Sequence, residues 1–188
     1  MTISNNSVKA SRCGVRIRAI GIHLPGEPIA LAEIDLPDAL RRHLDRTGQE
    51  ITYRTDRSST DLAVAAAQDA LSKAGIDALD IGMVISAPTL LTSYGLEIPA
   101  VAIRAELGLF NAECLNIAQG CVGALAAMRV AAHFLRCEPD RGNVLIVTAC
   151  KASSLVENFT HGAFSWGDAA AAILMTAEPG AGPVVEFY

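Results

Sequence analysis

Short apolar runs alternate with longer helical patterns along most of the 188-residue chain. A run in which nearly every residue is apolar is typical of a strand buried on both faces of a sheet. Such runs predict strands at 14–22, 81–87, 113–118, 143–149 and 169–175, with one more beginning at 184–188. Helical patterns lie between them, at 59–74, 99–107 and 122–136, and a short helix is predicted around 39–44. The alternation predicts the α/β class, with a mixed five-stranded sheet and helices on both faces.

Capping residues mark the ends of two of these helices. Ser59 or Thr60 can cap the helix that opens there, and Gly75 follows its last turn. Pro99 suits a first helical turn, and Gly108 is a typical stop after the last one. These signals set the expected bounds of both helices.

The composition narrows the class of protein. Apolar residues make up 51% of the chain and charged residues 19%, and the net charge is −5. The chain has no basic tract interleaved with aromatic residues, so nucleic-acid binding is not expected. The mean hydropathy of +0.33 is high for a water-soluble protein and predicts a large interface with a partner.

The N-terminal residues and the cysteines indicate the cellular compartment of the protein. Residues 1–13 lack the charged and apolar regions of a secretion signal and are interpreted as a disordered tail. No membrane association is expected, because Arg129 and His133 interrupt the most apolar helical stretch, 122–135. Five cysteines without C-x-x-C spacing predict neither a disulfide scaffold nor a metal site. We therefore expect reduced thiols and a cytoplasmic protein.

Cys121 is the candidate for chemistry. A strand-like run ends at a small turn, the cysteine follows, and an Ala-rich helix begins at once. Unpaired N–H groups and the positive end of the helix dipole favour thiolate over thiol at such a position. The chemistry predicted is nucleophilic capture of an acyl group as a thioester. The alternative is a buried, inert cysteine, which is the interpretation given to Cys114 and Cys150.

An ordered set of segments resembles the N-terminal half of the thiolase-fold condensing enzymes, most closely β-ketoacyl-acyl carrier protein synthase III. The matching segments are Leu24-Pro25, Arg46-Thr47-Gly48, 59–66, 116–124 around Cys121, and Gly167-Asp168 with the four alanines that follow. The resemblance covers residues 14–188 and implies a thiolase-like half-fold. It also implies an acyltransferase of fatty acid or polyketide biosynthesis, with Cys121 as the acyl-accepting residue. The substrate would be an acyl-CoA or acyl-carrier-protein thioester, with no bound cofactor.

The resemblance implies further residues around the cysteine. The backbone N–H of Cys121 would form one side of an oxyanion hole. Gly123 would allow close packing beside the nucleophile, although simple helix contact explains it equally. Asp168 is expected to anchor a turn. His133, in a helical pattern, is not expected to be catalytic.

Three residues are candidates for substrate binding. Arg46 falls where the family has an arginine that binds coenzyme A, and a surface arginine is the alternative. Arg42 or a neighbour occupies the family's tryptophan position, and His161 lies in the region of its second arginine, so a carrier-protein thioester or a differently held coenzyme A is favoured. Leu96 replaces a common aromatic residue, which would admit a longer or branched acyl chain. Ordinary loop packing is the other interpretation of Leu96.

In the family the catalytic His and Asn come from a second half. We therefore expect a complementary C-terminal-half polypeptide, which would cover the second side of the helix at 122–136, and a homodimer or heterotetramer with an acyl carrier protein as a further partner. The alternatives are a non-catalytic thiolase-fold scaffold subunit of a synthase, and an inactive fragment.

Overall fold

The apolar runs form the strands of a computed structural model that describes residues 14–89, 98–154, 160–161, 164–180 and 182–186. The strands are β1 (Arg16–His23), β2 (Ile29–Ala30), β3 (Ile51–Thr52), β4 (Ile81–Ser86), β5 (Glu113–Asn116), β6 (Asn143–Lys151), β7 (Thr160–His161), β8 (Phe164–Ser165) and β9 (Asp168–Thr176). The helices are α1 (Asp38–Thr47), α2 (Ser59–Ala74), α3 (Pro99–Leu107) and α4 (Gly123–Cys137).

Five of the strands form one mixed sheet in the order β1-β9-β6-β4-β5. β4 is parallel to both β5 and β6, whereas β9 is antiparallel to β6 and to β1. The predicted fold class is thereby confirmed. Because β4, β5 and β6 run in the same direction, their carboxyl ends meet at one end of the sheet. That end is where ligands bind in open α/β sheets.

Helices cover both faces of this sheet, as predicted. Alternate residues of β6 divide between two apolar clusters: Leu145 and Val147 pack with α2 and α3, and Val144 and Ile146 pack with α4. The apolar run Val144–Val147 of β6 follows from this, since both faces of the strand are buried there.

α2 packs very closely on β1. A Cβ added to Gly21 would lie 2.0 Å from the backbone oxygen of Ala66, so only glycine permits this approach. The N-cap of α2 is Ser58, not Ser59 or Thr60 as predicted. Ser58 and Asp61 form a capping box, in which each side chain accepts a hydrogen bond from the other residue's backbone N–H. The reciprocal bond places the cap one residue earlier.

A small lobe follows β1. Four leucines form its core: Leu40 and Leu44 belong to α1, and Leu31 and Leu36 precede the helix. β2 pairs with β3 in the same lobe. α1 is longer at both ends than the predicted helix and approaches β8. The β7–β8 hairpin, the described part of the region containing His161, therefore lies near α1.

Several sequence expectations are corrected at the edges of the fold. Cys114 is exposed, not part of the core, because β5 is short and forms an edge of the sheet. Cys150 is half-buried. Val184 forms an isolated bridge with Arg16, and the strand expected at 184–188 is not seen as far as Glu186, the last described residue. The predicted tail at 1–13 lies outside the described residues.

The stretch Gly120–Cys137 has the length and composition of a membrane-spanning helix, although interruption by charged residues was expected to exclude this. Within the fold its inner face packs on the sheet through Ala127, Ala131 and Leu135. Only 28% of the stretch is buried, however. Its length and hydropathy are therefore weak evidence for a membrane span.

Candidate active site around Cys121

Cys121 lies in a 3₁₀ turn, Gly120–Val122, that leads directly into α4. Gly120 has φ +55°, a left-handed conformation that favours glycine and turns the chain from β5 into the helix. The side chain of Cys121 is exposed. Among the described residues Cys121 is therefore not buried, and its reactivity stays a prediction.

The turn is held against the carboxyl ends of β4 and β5. The Ile117 N–H donates to the Ser86 carbonyl at 2.9 Å, which continues the pairing of the two strands beyond their last residues. A Cβ built on Gly123 would meet the Ile117 oxygen at 3.5 Å and the Ala87 Cβ at 3.6 Å. Those are ordinary contact distances, so the buried Gly123 fits closely but alanine would also fit. The close packing expected at Gly123 is present, and it does not require glycine.

The head of α4 presents a positive field to the turn that carries Cys121. The N-terminus of a helix carries roughly half a positive elementary charge from its aligned peptide dipoles. The first turn of α4 contains no acidic residue that would oppose this field. A negative charge that develops on a group bound next to Cys121 would be stabilised in the same way.

Asp168 is buried, with 1% of its surface exposed, and its carboxylate serves as an anchor. The backbone N–H groups of Thr55 and Ser153 each donate to it at 2.9 Å, and the Ser153 hydroxyl donates at 2.7 Å. Lys151 reinforces the same connection, since its Nζ donates to the Thr55 carbonyl at 2.9 Å. Asp168 therefore ties the segment before α2 to the end of β6, in agreement with the predicted structural role.

Cys150 is a half-buried thiol whose environment sequence reasoning did not resolve. Burial raises the pKa of the Cys150 thiol, and the nearby carboxylate of Asp168 adds a smaller contribution in the same direction. The period-2 pattern of β6 was the available signal, because it places Cys150 on the α4 face of the sheet.

The other predicted site residues are not gathered around Cys121. Arg46 is exposed in the last turn of α1, and His161 lies in β7, in the region of the small lobe. Leu96 lies outside the described residues. His133 is exposed on α4, about 18 Å along the helix axis from Cys121 at 1.5 Å per residue. Within the described ranges, no group of three or more His, Cys, Asp or Glu residues is arranged to hold a metal ion.

Two clefts lie away from Cys121. One, of about 410 Å³, is formed by the small lobe between α1 and the β2–β3 pair, with Leu31 and Arg41 in its lining. The other, of about 420 Å³, is at the opposite end of the sheet, where Asn143 begins β6. Neither brings a functional group to the thiol.

Comparison with known proteins gives a consistent result. The family described as 3-oxoacyl-[acyl-carrier-protein (ACP)] synthase III matches residues 115–187, the segment that contains Cys121 and Asp168. The chain is 28% identical over 171 residues to the β-ketoacyl-[acyl-carrier-protein] synthase III of Sulfurovum sp., with 85% of this chain and 48% of the relative covered. It is 31% identical over 163 residues to the mycobacterial β-ketoacyl-[acyl-carrier-protein] synthase III of Mycobacterium avium, with 79% and 48% covered.

Solved structures share the fold. ChlB3, described as an acyltransferase, superposes with a TM-score of 0.78 at 24% identity, over 89% of this chain and 51% of that one. The 3-oxoacyl-[acyl-carrier-protein] synthase III of Aquifex aeolicus superposes with a TM-score of 0.76 at 24% identity, over 88% and 55%.

The chain therefore has a thiolase-like condensing-enzyme fold. Its resemblance to β-ketoacyl-acyl carrier protein synthase III, predicted from the sequence, is confirmed. The chain spans about half the length of the curated relatives that it matches.

Proposed function

We propose that this chain carries the acyl-accepting cysteine of a synthase III-like acyltransferase. The thiolate of Cys121 attacks the carbonyl carbon of an acyl thioester, and the thiol of the donor leaves as the acyl group moves to the protein. The acyl group is then passed to an acceptor. The observation that carries the proposal is an exposed thiol at the head of α4, at the carboxyl ends of β4, β5 and β6.

A second polypeptide segment completes the site in this proposal, and it supplies the His and Asn that the condensing reaction needs. The support is the outer side of α4, where Val122 is 56% exposed and Leu125 is 63% exposed. The neighbouring strip of the sheet is also open. Ile20 and Ile22 of β1 are 48% and 57% exposed, and they face away from α2 because Gly21 between them faces it. Apolar surface of this kind marks an interface.

Pairing between two copies of the chain is supported by a contrast between the two edges of the sheet. At the β1 edge, two side chains of α2 form hydrogen bonds with the backbone of the strand. The Ile22 N–H donates to Asp69 at 2.9 Å, and Lys73 donates to the Ile20 carbonyl at 3.2 Å. The other edge, β5, carries exposed residues such as Cys114 and Asn116. Among the described strands β5 pairs only with β4, and an edge strand is a template for pairing with another chain. We propose a homodimer or a heterotetramer on this basis, in the cytoplasm.

The substrate is proposed to be an acyl-CoA or an acyl-carrier-protein thioester. Arg46 and His161 lie in the neighbouring α1 and β7–β8 regions, and they are proposed as substrate-binding residues, with the Arg46 guanidinium suited to a phosphate group of the donor. Leu96 is proposed to admit a longer or branched acyl chain. No cofactor is needed for thioester exchange, since the thiolate itself forms the new bond.

The direct test is acyl labelling. The assembled protein is incubated with radiolabelled acyl-CoA and, separately, with a radiolabelled acyl carrier protein, and the labelled peptide is mapped by mass spectrometry. We expect label on Cys121 and none in Cys121→Ala. Cys137→Ala is the matched control, because Cys137 is an exposed cysteine at the other end of α4. Label that persists in Cys121→Ala would contradict the proposal.

A non-catalytic partner subunit is the second candidate. The observation that favours it is the same open face of α4, which fits a scaffold as well as it fits half of an active site. Native mass spectrometry separates the candidates when it is combined with labelling. A complex with a second polypeptide that leaves Cys121 unlabelled would favour the scaffold, and a stable lone monomer would contradict both.

A further inference from the structure

The cleft of about 420 Å³ lies at the amino ends of β4 and β6, at the other end of the sheet from Cys121. Its lining includes Asn143, the first residue of β6, Asp80, which directly precedes β4, and Asn111 in the turn before β5. The nine residues of β6 separate the two ends of the sheet by about 30 Å, at about 3.3 Å per residue. The proposed acyl transfer therefore gives this cleft no task.

The floor of the cleft is backbone in close contact. A Cβ on Gly142 would lie 2.5 Å from the carbonyl oxygen of Asp80, and one on Gly82 would lie closer still to the carbonyl oxygen of Arg141. Only glycine at both positions lets the two chain segments touch. The Asn143 Nδ2 also donates a hydrogen bond to the Asp80 carbonyl at 3.1 Å. The floor is therefore formed before any ligand arrives.

Asn143 leaves one strong acceptor unused. The residue is buried, with 4% of its surface exposed, and its Oδ1 has no hydrogen-bond partner among the described residues. Buried side-chain oxygens almost always accept a hydrogen bond, so an oxygen that does not marks the position of a missing donor. The cleft is the side from which an N–H group can reach it.

Both arginines in the lining are already paired with carboxylates. Arg18 forms an ion pair with Glu178. Arg141 forms an ion pair with Glu113 and a longer one, at 3.8 Å, with Glu138. An anionic ligand would have to displace these carboxylates, and the net charge of −5 on the chain would oppose its approach.

Two carboxylates of the lining are unpaired. Asp80 and Asp140 are exposed, and neither side chain forms an ion pair or a hydrogen bond within the described part of the chain. Ile76 and Leu79 add apolar surface to the walls. An alkylammonium ion matches this lining, because its N–H groups donate charge-assisted hydrogen bonds to carboxylates and its carbon chain contacts apolar side chains.

We propose that the cleft binds a small aliphatic amine in its protonated form. The ammonium group donates to Asn143 Oδ1 and interacts with the carboxylates of Asp80 and Asp140, while the carbon chain lies against Ile76 and Leu79. Exposed side chains change rotamer within nanoseconds, so those at the rim admit the ligand to the buried oxygen. Because the cleft joins the end of α2, the turn before β5 and the start of β6, a bound amine raises the thermal stability of the fold.

The test is titration of the full, isotope-labelled chain with n-butylamine at about 0.15 M salt, where loose attraction to an acidic surface is screened. We expect saturable binding, a shift of the Asn143 side-chain amide signal and a higher unfolding temperature. Asp80→Asn and Asp140→Asn should each weaken binding about tenfold, because each removes a charged acceptor. Asp45→Asn is the matched control, since Asp45 lines the cleft in the small lobe, and it should leave the affinity unchanged.

Three results would overturn the proposal. One is n-butanol, the neutral analogue, binding as tightly as the amine. Another is an Asn143 amide signal that does not move, which would show that Oδ1 holds an ordered water only. The third is equal affinity in wild type, Asp80→Asn and Asp140→Asn. The first two measurements need only the wild type, so they decide the matter even if a variant does not fold. Acyl labelling of Cys121 plays no part in this test, so either proposal can fail without the other.

Discussion

The two faces of the sheet differ in how completely they are covered. On one face α2 and α3 enclose a continuous apolar cluster around Leu62, Ile103 and Leu145, all of them at most 1% exposed. On the other face α4 buries its inner side but leaves Leu125 63% exposed, and Ile22 of β1 is 57% exposed. We call these the closed face and the open face. The closed face maintains the fold, and the open face carries the candidate nucleophile.

The difference shows how one amino-acid pattern can serve two purposes. Both α2 and α4 are rich in alanine, which lets a helix lie close to the sheet. In α2 the alanines Ala63, Ala66 and Ala70 face the sheet and are buried. In α4 larger apolar residues lie on the side away from the sheet, where more than half of the surface of Val122 and of Leu125 is exposed. An exposed apolar surface of this kind is typical of an interaction site.

The largest expected effect comes from a matched pair of leucine truncations. Leu62→Ala on the closed face should lower the free energy of unfolding by about 3–4 kcal/mol, because it leaves a cavity in a sealed core. Leu125→Ala on the open face should change it by less than about 0.5 kcal/mol. Urea denaturation of the full chain measures both. Equal losses would mean that α4 is already covered, and the comparison would fail.

A matched pair of glycine substitutions tests the same contrast through the backbone. Gly21→Ala should cost about 2–3 kcal/mol, because the new methyl group would lie 2.0 Å from a backbone oxygen of α2. Gly123→Ala meets its nearest neighbour only at 3.5 Å and should be close to neutral in stability. Thermal unfolding by circular dichroism would show the difference. A strongly destabilised Gly123→Ala would indicate that the head of α4 is packed as tightly as α2.

The capping box of α2 should have an intermediate effect. Ser58→Ala removes the acceptor for the Asp61 N–H and should cost about 1 kcal/mol. Ser72→Ala, an exposed serine near the other end of the helix, is the control and should be nearly neutral. Comparison of the two urea midpoints checks this. If Ser58→Ala caused no loss of stability, packing on the closed face would be sufficient to hold the N-terminus of α2 without its capping box.

Much of this organisation was predictable from the sequence, and the exceptions have physical reasons. The strands at the centre of the sheet were predicted because β4 and β6 are apolar on both faces, and Gly108 ended α3 as expected. The environment of Cys114 was not predicted, since a strand's composition does not reveal that it lies at an edge. The cap of α2 was misplaced by one residue because three hydroxyl residues, Ser58, Ser59 and Thr60, adjoin and only the bond to Asp61 selects among them.

The candidate site was predicted only in part. The position of Cys121 before a helix could be predicted from local sequence, because a strand-like run, a small turn and a helix are all local patterns. The surroundings of Cys121 could not, since they depend on the pairing of β4 with β5 and on the path of the turn between β5 and α4. Residues contributed by different elements meet only through tertiary packing, and no local pattern contains that information.

The smallest expected effect concerns the protected edge of the closed face. Hydrogen bonds from Lys73 and from the Ile22 N–H lower the pKa of Asp69. A carboxyl whose pKa is lower in the folded state stabilises the fold above its unfolded pKa, about 3.9, and loses that contribution as the pH falls through its folded value. Asp69→Asn should therefore lower stability slightly at neutral pH, and the difference from wild type should shrink below pH of about 4. Urea midpoints at neutral and acidic pH measure this. A difference that stays constant with pH would show that the Asp69 charge plays no part in holding β1, and that the edge is protected by shape alone.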